Sequence, residues 1–564
     1  MAQKIAIGSQ SFSSIIENNC FFIDKTPLIK DWWENYDSVT LITRPRRFGK
    51  TLNMDMINCF FSNKYEGRSD LFENLEIWKD KKYRELQGKY PVIFFSFAGI
   101  KEKTYELAVY RMCNKIRELY VSNSFLLESP ALLKSEKKNF EEYLEKIDER
   151  DLPDAINRLC YFLSGHYKKN KVIVLLDEYD TPLQEAYING YWDEMSGLIR
   201  SLFNNTFKTN IYLDRAILTG ITRVSKESLF SDLNNLELCT MMSSKYCKYF
   251  GFTEDEVFEA MDKFGYTNKD EVKSWYDGFT IGDEKDVYNP WSIINFLDKG
   301  VLKPYWSNTS SNGLAGKLIM QGDEEVKSDF EDLLNGKTIK KRLDEDIVFS
   351  QLDEDINAVW SLLSASGYLK ISSVTLDIYE LEIVNHEVML MFNNMVSRWF
   401  TSKPVKYNDL IKTLLNGEIE DLNEYMNDLT ISIISSFDTG KDTNEKQLPE
   451  RFYHGFVLGL LVELRDRYVL QSNRESGAGR YDIMLIPKNI KEDNALIIEF
   501  KVIRRNRGEK GLEDTLKNAL EQIEQKQYSR FLTDLGVPNE HILKYGFAFE
   551  GKEVLVGLKT TSNE

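Results

Sequence analysis

Residues 38–51 read Ser-Val-Thr-Leu-Ile-Thr-Arg-Pro-Arg-Arg-Phe-Gly-Lys-Thr, and the first half of the chain is organised around this stretch. The β-branched run 39–42 predicts a buried strand, and a turn containing Pro45 follows it. Apolar residues at helical spacing then predict a helix from Thr51 to Phe61. A strand, a turn and a helix N-terminus gather unpaired backbone N–H groups at one point, which favours a bound anion.

The end of this stretch has the composition of a nucleotide-binding loop. Lys50 is expected to reach the β- and γ-phosphates of a nucleotide, and the Thr51 hydroxyl is expected to ligate Mg²⁺. The residues before them, Arg47, Phe48 and Gly49, complete the predicted cofactor-binding loop.

One position departs from the pattern G-x-x-x-x-G-K-[ST], because Arg44 stands where the first glycine is expected. The alternative interpretation is a basic turn before an ordinary helix. The residues downstream decide between the two.

Length and composition limit the class of protein. A chain of 564 residues is long enough for two to four domains. A net charge of −17 means that any nucleic-acid site must be a local basic patch. The six cysteines are scattered without a C-x-x-C pair, so neither a zinc site nor a disulfide framework is indicated. With no signal-like N-terminus and no membrane-length apolar run, we expect a cytoplasmic protein that does not enter a membrane.

A second apolar run, 172–176, ends in two acidic residues, as expected of a strand that carries carboxylates at its C-terminal edge. Asp177 is predicted to hold Mg²⁺ through water, and Glu178 to polarise the attacking water as a catalytic residue. Asp180 is expected to cap the helix that begins near Thr181.

A further strand is predicted at 216–219. In P-loop ATPases with an added central strand, a polar residue at this point contacts the γ-phosphate. Thr219 or Thr222 fits that role, and Arg223 is placed to contact phosphate from within the same chain. A structural turn with a surface arginine remains the alternative.

These segments together resemble the bacterial AAA-ATPase-like family of the P-loop ATPase superfamily, over residues 4 to about 310. The matching segments are residues 22–26, 44–51, 176–180, 219–225, 275–279 and 288–292. The family resembles this chain even in replacing the first glycine of the loop. The resemblance implies an α/β fold with a parallel sheet and ATP binding, with Mg²⁺ as the accompanying ion.

The rest of the chain divides by composition. After an ATPase core at 1–235, residues 236–400 are predicted to form a mostly helical lid, in which a helix and a hairpin at 358–384 suggest a winged-helix-like connector. Residues 401–448 are acidic and helical and end in a polar run, which predicts a linker. Residues 449–564 are predicted to form a separate α/β domain.

This last domain carries a second candidate site. Strands are predicted at 480–487 and 495–502. Because side chains alternate along a strand, Glu499 and Lys501 point the same way while Ile498 and Phe500 point into the core. If the strands form a hairpin, Asp482 lies beside Glu499.

Two carboxylates and a lysine on one surface suit phosphodiester cleavage. Asp482 and Glu499 would supply the hard oxygen ligands that Mg²⁺ prefers, and Lys501 would stabilise negative charge on the attacking hydroxide or the phosphate. The alternative is a surface aspartate and an ordinary Glu–Lys strand pair. The strongly apolar strand argues against that alternative, because unpaired charges there are costly.

The segment resembles the PD-(D/E)XK nuclease superfamily, here as Tyr481-Asp482, then sixteen residues, then Glu499-Phe500-Lys501. This implies a restriction-endonuclease-like α/β fold. The resemblance also implies a further metal-ligating glutamate on the preceding helix, with Glu450 favoured over Glu463. It implies a Gln–Tyr pair on the following helix, for which Gln522 and Tyr528 fit as nucleic-acid residues.

A basic cluster follows the second strand and contains Arg504, Arg505, Arg507 and Lys510. On an acidic protein such a cluster beside a metal site suits a phosphate backbone, although a solvated loop fits the same residues.

The sequence therefore predicts an ATPase module joined to a Mg²⁺-dependent nuclease module, with nucleic acid, DNA being favoured, as the partner and the ATP state gating cleavage. The alternatives are a nucleotide-dependent regulatory or scaffold protein with an inactive nuclease domain, and a nuclease without ATP control. A homo-oligomer is compatible with the sequence, because many P-loop ATPases complete their site with a neighbour's arginine.

Overall fold

In the computed structural model of the chain, the description covers residues 3–168, 170–222, 230, 233–307, 315–316, 318–319, 324–334, 336–344, 356–399, 407–437, 461, 464, 467–472, 475–476, 479–480, 482–505, 508–550 and 553–559. The chain forms two compact units. The first contains residues 1–321 and 335–389, and the second contains residues 322–334 and 390–564. Every helix in the described ranges is too short or too polar to span a lipid bilayer.

The first unit is built on a parallel sheet of five strands, in the order β2-β3-β4-β1-β5. The strands are β1 (Val39–Thr43), β2 (Val92–Ser96), β3 (Val172–Asp177), β4 (Leu213–Gly220) and β5 (Leu236–Cys239). β4 pairs in parallel with both β1 and β3, so it is the added central strand that the sequence predicted. The ends of the P-loop strand and of the acidic strand therefore meet at one edge of the sheet, with the end of β4 between them.

Helices cover this sheet. In the first unit up to β5 the α-helices are Phe12–Glu17, Pro27–Asn35, Lys50–Phe61, Lys81–Arg84, Tyr105–Val121, Lys134–Glu145, Leu152–His166, Thr181–Asn189 and Trp192–Phe203, the last of which continues as a π-helix at Asn204–Lys208. The predicted strands 39–42, 172–176 and 216–219 and the predicted helix 51–61 are confirmed, with ends that differ by at most three residues.

Two small antiparallel sheets follow in the first unit. β6 (Phe252–Thr253), β7 (Phe279–Ile281) and β8 (Glu284–Tyr288) form one, with the helices Glu254–Phe264, Lys269–Tyr276 and Pro290–Lys299 beside it. β9 (Ile339–Lys341), β10 (Leu369–Thr375) and β11 (Ile378–Ile383) form the other; along the chain, the helix Ile356–Ala365 precedes β10 and the helix His386–Trp399 follows β11. The predicted helix and hairpin of a winged-helix-like connector are thus present.

The second unit contains a mixed sheet in the order β12-β15-β16-β17-β18. Its strands are β12 (Tyr468–Ser472), β15 (Ile483–Pro487), β16 (Ala495–Val502), β17 (Ile542–Glu550) and β18 (Glu553–Lys559), and β13 (Glu475–Ser476) and β14 (Gly479–Arg480) form a separate ribbon. Its helices are Glu324–Leu334, Tyr407–Asn416, Ile419–Phe437, Leu512–Gln525 and Ser529–Asp534.

Alternation along β16 gives this sheet two buried faces. Ile498 and Phe500 pack with the helices of 407–437. Ile497 packs on the opposite face with Ile523 and Tyr528. The result is a layer of helices on each side of the sheet, as expected for a restriction-endonuclease-like domain.

The helix Ile419–Phe437 also covers the outer edge of β18. Asn423 donates to the carbonyl of Val556 (2.8 Å) and accepts from its N–H (2.7 Å). One turn later, Asn427 makes the same pair of bonds with Val554, at 2.8 and 3.0 Å. The expectation that 401–448 is a linker is therefore wrong for 407–437, because this segment supplies core leucines and pairs a strand edge of the second unit. The other domain boundaries stay predictions.

Candidate functional site

The loop after β1 has the backbone of an anion-binding turn. Arg47 and Gly49 both adopt positive φ, at 66° and 80°, and the helix starts at Lys50 directly after them. The Lys50 ammonium lies over the loop and donates to the carbonyls of Arg44 (2.8 Å) and Pro45 (2.7 Å). Phosphate oxygens entering this turn would meet the helix N-terminus and the same ammonium.

Arg44 explains how the loop keeps its shape without the first glycine. The side chain is fully buried, and Nη1 donates to the carbonyls of Thr43 (2.8 Å), Cys239 (2.9 Å) and Thr240 (2.7 Å). Its guanidinium also lies 5.6 Å from the ring centroid of Phe250. Burial lowers the pKa of Arg44 to about 10, so the group remains charged at neutral pH. Arg44 thus points into the protein and fastens the loop to the segment after β5.

A chain of hydrogen bonds connects the helix start with the acidic strand. The Thr51 hydroxyl donates to Oδ2 of Asp177 (2.8 Å), and the Thr219 hydroxyl donates to Oδ1 of the same carboxylate (2.6 Å). Burial raises the pKa of Asp177, and the two threonine hydrogen bonds oppose that rise. A hydroxyl and a carboxylate oxygen side by side are the donor set that Mg²⁺ takes when phosphate oxygens and water complete its octahedron.

Glu178 occupies a strained position at the end of β3. Its φ is 53°, in the left-handed region that a glutamate rarely adopts, and such strain concentrates at functional sites. Asp180 stands at the start of the helix Thr181–Asn189 but does not cap it through its side chain. Its carboxylate instead accepts from the backbone N–H groups of Ile221 (2.8 Å) and Thr222 (3.1 Å), so Asp180 is the N-cap residue as predicted but its side chain serves another loop.

The pKa of Lys50 is strongly perturbed. Burial lowers its pKa to about 8, while the carboxylates of Glu178, Asp180 and Asp177 limit the fall. A phosphate bound beside this lysine would favour the protonated, charged form of its side chain.

A cavity of about 390 Å³ opens from this loop, within the size range of small-ligand pockets. Among the predicted residues, Arg47, Phe48, Gly49, Lys50, Thr51 and Glu178 line it. The cavity also has walls that sequence reasoning missed, formed by Ile5, Ala6, Phe21, Phe22, Ile23, Lys25, Lys101, Phe252, Trp291 and Ile294. Phe22, Ile23, Lys25 and Trp291 lie in segments 22–26 and 288–292, which carried the family resemblance. For these four residues, that resemblance was the available sequence signal.

Neither of the two candidate sensor threonines lines the cavity. Thr219 contacts Asp177, and Thr222 is held by Asp180, whereas Ile221 reaches the cavity. The prediction for Arg223 falls outside the described residues.

The second unit brings together most of its predicted residues. Glu499 is 1% exposed, and its Oε1 accepts from Lys501 Nζ (3.0 Å) and from the Gln522 side-chain amide. The Lys501 side chain is partly exposed to solvent. The Glu499–Lys501 pair therefore lies on one face of the strand, with the lysine nearer the surface. Asp482 precedes β15, whose Ile483 pairs with Ile498 of β16.

Asp482 lies beside Glu499, as a hairpin requires. Its Oδ2 accepts from the backbone N–H of Phe500 (2.8 Å). Tyr528 is fully buried and hydrogen-bonded to Gln522, and burial raises its pKa. Because that ring does not reach the surface, direct contact of Tyr528 with nucleic acid is not supported; it positions Gln522.

The remaining predictions in this unit differ in outcome. Glu450 and the alternative Glu463 lie outside the described residues. Arg505 is exposed but forms an ion pair with Glu550 (2.6 Å), and the backbone N–H of Arg504 donates to Glu509 (2.7 Å). Within the described ranges, no three His, Cys, Asp or Glu side chains converge as a ready metal cluster.

The sheet order, the P-loop and the acidic strand define the first unit as a P-loop ATPase fold. Residues 6–230 match the family described as predicted AAA-ATPase, and residues 448–558 match the PD-(D/E)XK nuclease superfamily. The chain thus carries an AAA-ATPase-like domain and a C-terminal PD-(D/E)XK nuclease superfamily domain. It is also similar to an uncharacterized protein in the vnfD 5' region of Azotobacter chroococcum mcd 1, with 24% identity and coverage of 98% of both chains.

Proposed function

We propose that the first unit binds ATP with Mg²⁺ and hydrolyses it. The observation that carries this proposal is the 2.8 Å hydrogen bond between Thr51 Oγ1 and Asp177 Oδ2, next to the Lys50 ammonium at a helix N-terminus. Thr51 would hold Mg²⁺ directly and Asp177 through water. Mg²⁺, when bound, neutralises charge on the β- and γ-phosphates.

The residues of the chain then have separate tasks. Lys50 leaves the loop carbonyls and binds the phosphates, and Glu178 accepts a proton from the attacking water. The water oxygen bonds to the γ-phosphorus while the bond to the bridging oxygen breaks, and that electron pair leaves with ADP.

ATP binding and phosphate release test this proposal. Lys50→Ala removes charge-assisted hydrogen bonds worth about 1.5–3 kcal/mol, so ATP affinity should fall about 10- to 100-fold and turnover should be lost. Lys30→Ala, at an exposed lysine of another helix, is the control and should behave as wild type. Equal ATP binding by Lys50→Ala and wild type would contradict the proposal.

We propose further that the second unit is a Mg²⁺-dependent DNA nuclease. Asp482 and Glu499 would hold Mg²⁺, with Glu450 as a proposed third ligand, and Lys501 would stabilise charge on the phosphate or the attacking hydroxide. Lys501 and Gln522 both donate hydrogen bonds to the buried Glu499 carboxylate. These contacts support the assignment, because a buried carboxylate without such partners would cost free energy. Arg504 and Arg505 at the surface are proposed to contact the phosphate backbone.

Finally, we propose that the nucleotide state of the first unit gates cleavage by the second. Plasmid nicking with Mg²⁺, measured with and without ATP, tests this together with nuclease activity. Asp482→Ala and Lys501→Ala should abolish nicking, whereas Lys517→Ala, at an exposed lysine of the helix Leu512–Gln525, should not.

Each alternative has its own result. Equal background activity in wild type, Asp482→Ala and Lys501→Ala would favour a regulatory or scaffold protein. Nicking that is unchanged in Lys50→Ala would favour a nuclease without ATP control. Single-stranded DNA and RNA in parallel reactions identify the substrate form.

A further inference from the structure

The cavity of the first unit is lined by more basic than acidic side chains. The basic residues are Lys25, Arg46, Arg47, Lys50 and Lys101, and the acidic residues are Glu178 and Asp180. Such an excess suits a polyanion such as a triphosphate.

Four of these cations are already engaged. Lys25 is buried in an ion pair with Glu256 (2.6 Å), Arg46 donates to Gln184 (3.3 Å), Arg47 lies 4.5 Å from the ring centroid of Trp291, and Lys50 binds the loop carbonyls. Lys101 differs from them. It is exposed, and it makes no hydrogen bond or ion pair with any residue that the structure describes.

The backbone fixes the place from which Lys101 extends. Directly after β2, the N–H of Phe97 donates to the carbonyl of Asp177 (2.9 Å), and the N–H of Ile100 donates back to Phe97 (2.9 Å). Phe97 and Ile100 are both fully buried. The turn is therefore anchored beside the acidic end of β3, and Lys101, which follows it, lines the same cavity as Glu178.

The adjacent carboxylate does not neutralise this lysine. Glu102 receives the Arg111 guanidinium (2.9 Å), and its backbone carbonyl accepts from the Tyr191 hydroxyl (2.6 Å). The Lys101 charge is consequently available to a ligand.

We propose that Lys101 is a catalytic residue that supplies a positive charge to the γ-phosphate from within the same chain. This rests on the proposed ATP hydrolysis. As the γ-phosphorus bonds to the water oxygen and its bond to the bridging oxygen breaks, negative charge grows on the bridging and γ oxygens. The Lys101 ammonium keeps its proton and donates a hydrogen bond to one of them, as an arginine finger does in related reactions.

The experiment compares Lys101→Met with Lys103→Met in the full chain. Lys103 is the matched control, because it is exposed two residues further along but does not line the cavity. We expect Lys101→Met to lower kcat for ATP hydrolysis about 10²- to 10³-fold, the usual cost of one transition-state donor. Its Kd for ATP should stay within about threefold, because an interaction made only in the transition state leaves ground-state binding unchanged.

A second readout separates charge stabilisation from a structural effect. ADP with aluminium fluoride mimics the transferring phosphoryl group, so Lys101→Met should bind it much more weakly than Lys103→Met does. Lys101→Arg, which keeps the charge, should recover part of kcat.

Failure has two distinct forms. If wild type hydrolyses ATP and Lys50→Ala does not, but Lys101→Met and Lys103→Met share the wild-type kcat, the role of Lys101 is overturned alone. If purified wild type neither binds nor hydrolyses ATP, the proposed function fails and this inference fails with it.

Discussion

Arg44→Gly restores the glycine of the common P-loop pattern, yet we expect it to damage the loop. The wild-type guanidinium satisfies three carbonyls, those of Thr43, Cys239 and Thr240. A glycine leaves them without this donor, frees the backbone and leaves an empty volume where a buried side chain was.

The magnitude follows from opposing contributions. A buried acceptor that loses its donor costs about 1–3 kcal/mol. The Thr240 carbonyl keeps the Ser243 N–H (3.2 Å), so the carbonyls of Thr43 and Cys239 amount to about 2–6 kcal/mol. Against this, burial lowers the pKa of Arg44 to about 10, and that shift corresponds to about 3 kcal/mol against the charged form. The empty volume left by a large buried side chain adds about 2–5 kcal/mol and the backbone freedom of glycine up to about 1 kcal/mol, so together these contributions lower the free energy of unfolding of the first unit by about 1–9 kcal/mol.

Urea denaturation measures this change, in the transition that bound ATP shifts to higher urea. ATP affinity should fall in parallel, because the Lys50 ammonium and the loop N–H groups lose their fixed positions. Arg44→Met is the matched control: it lacks the donors but fills the volume, so it should lose less stability than Arg44→Gly. If Arg44→Gly unfolds at the wild-type urea concentration and binds ATP equally well, these contacts do not hold the loop.

Three further predictions follow from buried contacts. Because the pKa of Lys50 is lowered to about 8, the free loop loses its charge above that pH, and ATP affinity measured by calorimetry should weaken by up to about tenfold from pH 8 to pH 9. Gly220→Ala would place a Cβ 2.6 Å from the ring of Tyr179, so the free energy of unfolding should fall by about 1–3 kcal/mol in urea, whereas Gly197→Ala meets nothing within 4 Å and should be neutral or stabilising. Asn423→Ala removes the two hydrogen bonds to β18, and the unfolding free energy of the second unit should fall by about 1–3 kcal/mol.

Each of these has a clear contrary result. Lys50→Arg keeps its charge over the whole pH range, so an equally steep pH dependence in that variant would trace the effect to another group. Equal stability of the two glycine variants would mean that the ring beside Gly220 can move aside. Glu424→Ala changes an exposed residue of the same helix as Asn423, and an equal loss there would point to helix propensity instead of the strand contact.

The sequence predicted those site residues whose positions depend on the strand or helix that contains or adjoins them. Lys50 and Thr51 follow a strand directly, and Asp177 ends another, so their positions at one sheet edge follow from the rules for parallel sheets. In the second unit, the alternation of side chains between the two faces of a strand was enough to place Glu499 and Lys501 on one face.

Contacts between distant segments could not be predicted in this way. Nothing in the spacing around Arg44 shows that its side chain turns inward to carbonyls at 239 and 240. Lys101 was not singled out from the sequence, because its place at the cavity depends on the contact that anchors Phe97 against Asp177. The acidic helix with Asn423 resembled a linker, because asparagines that pair with a strand look in sequence like any solvated surface.

The asparagine contacts also affect how fragments of this chain should be designed. A truncation at residue 448, where the superfamily match begins, would remove the helix that shields β18. The outermost strand would then present a row of bare amide and carbonyl groups, which is a template for pairing with strands of neighbouring molecules. A recombinant nuclease fragment should therefore retain residues 407–437, since a shorter one would be prone to self-association before its chemistry could be measured.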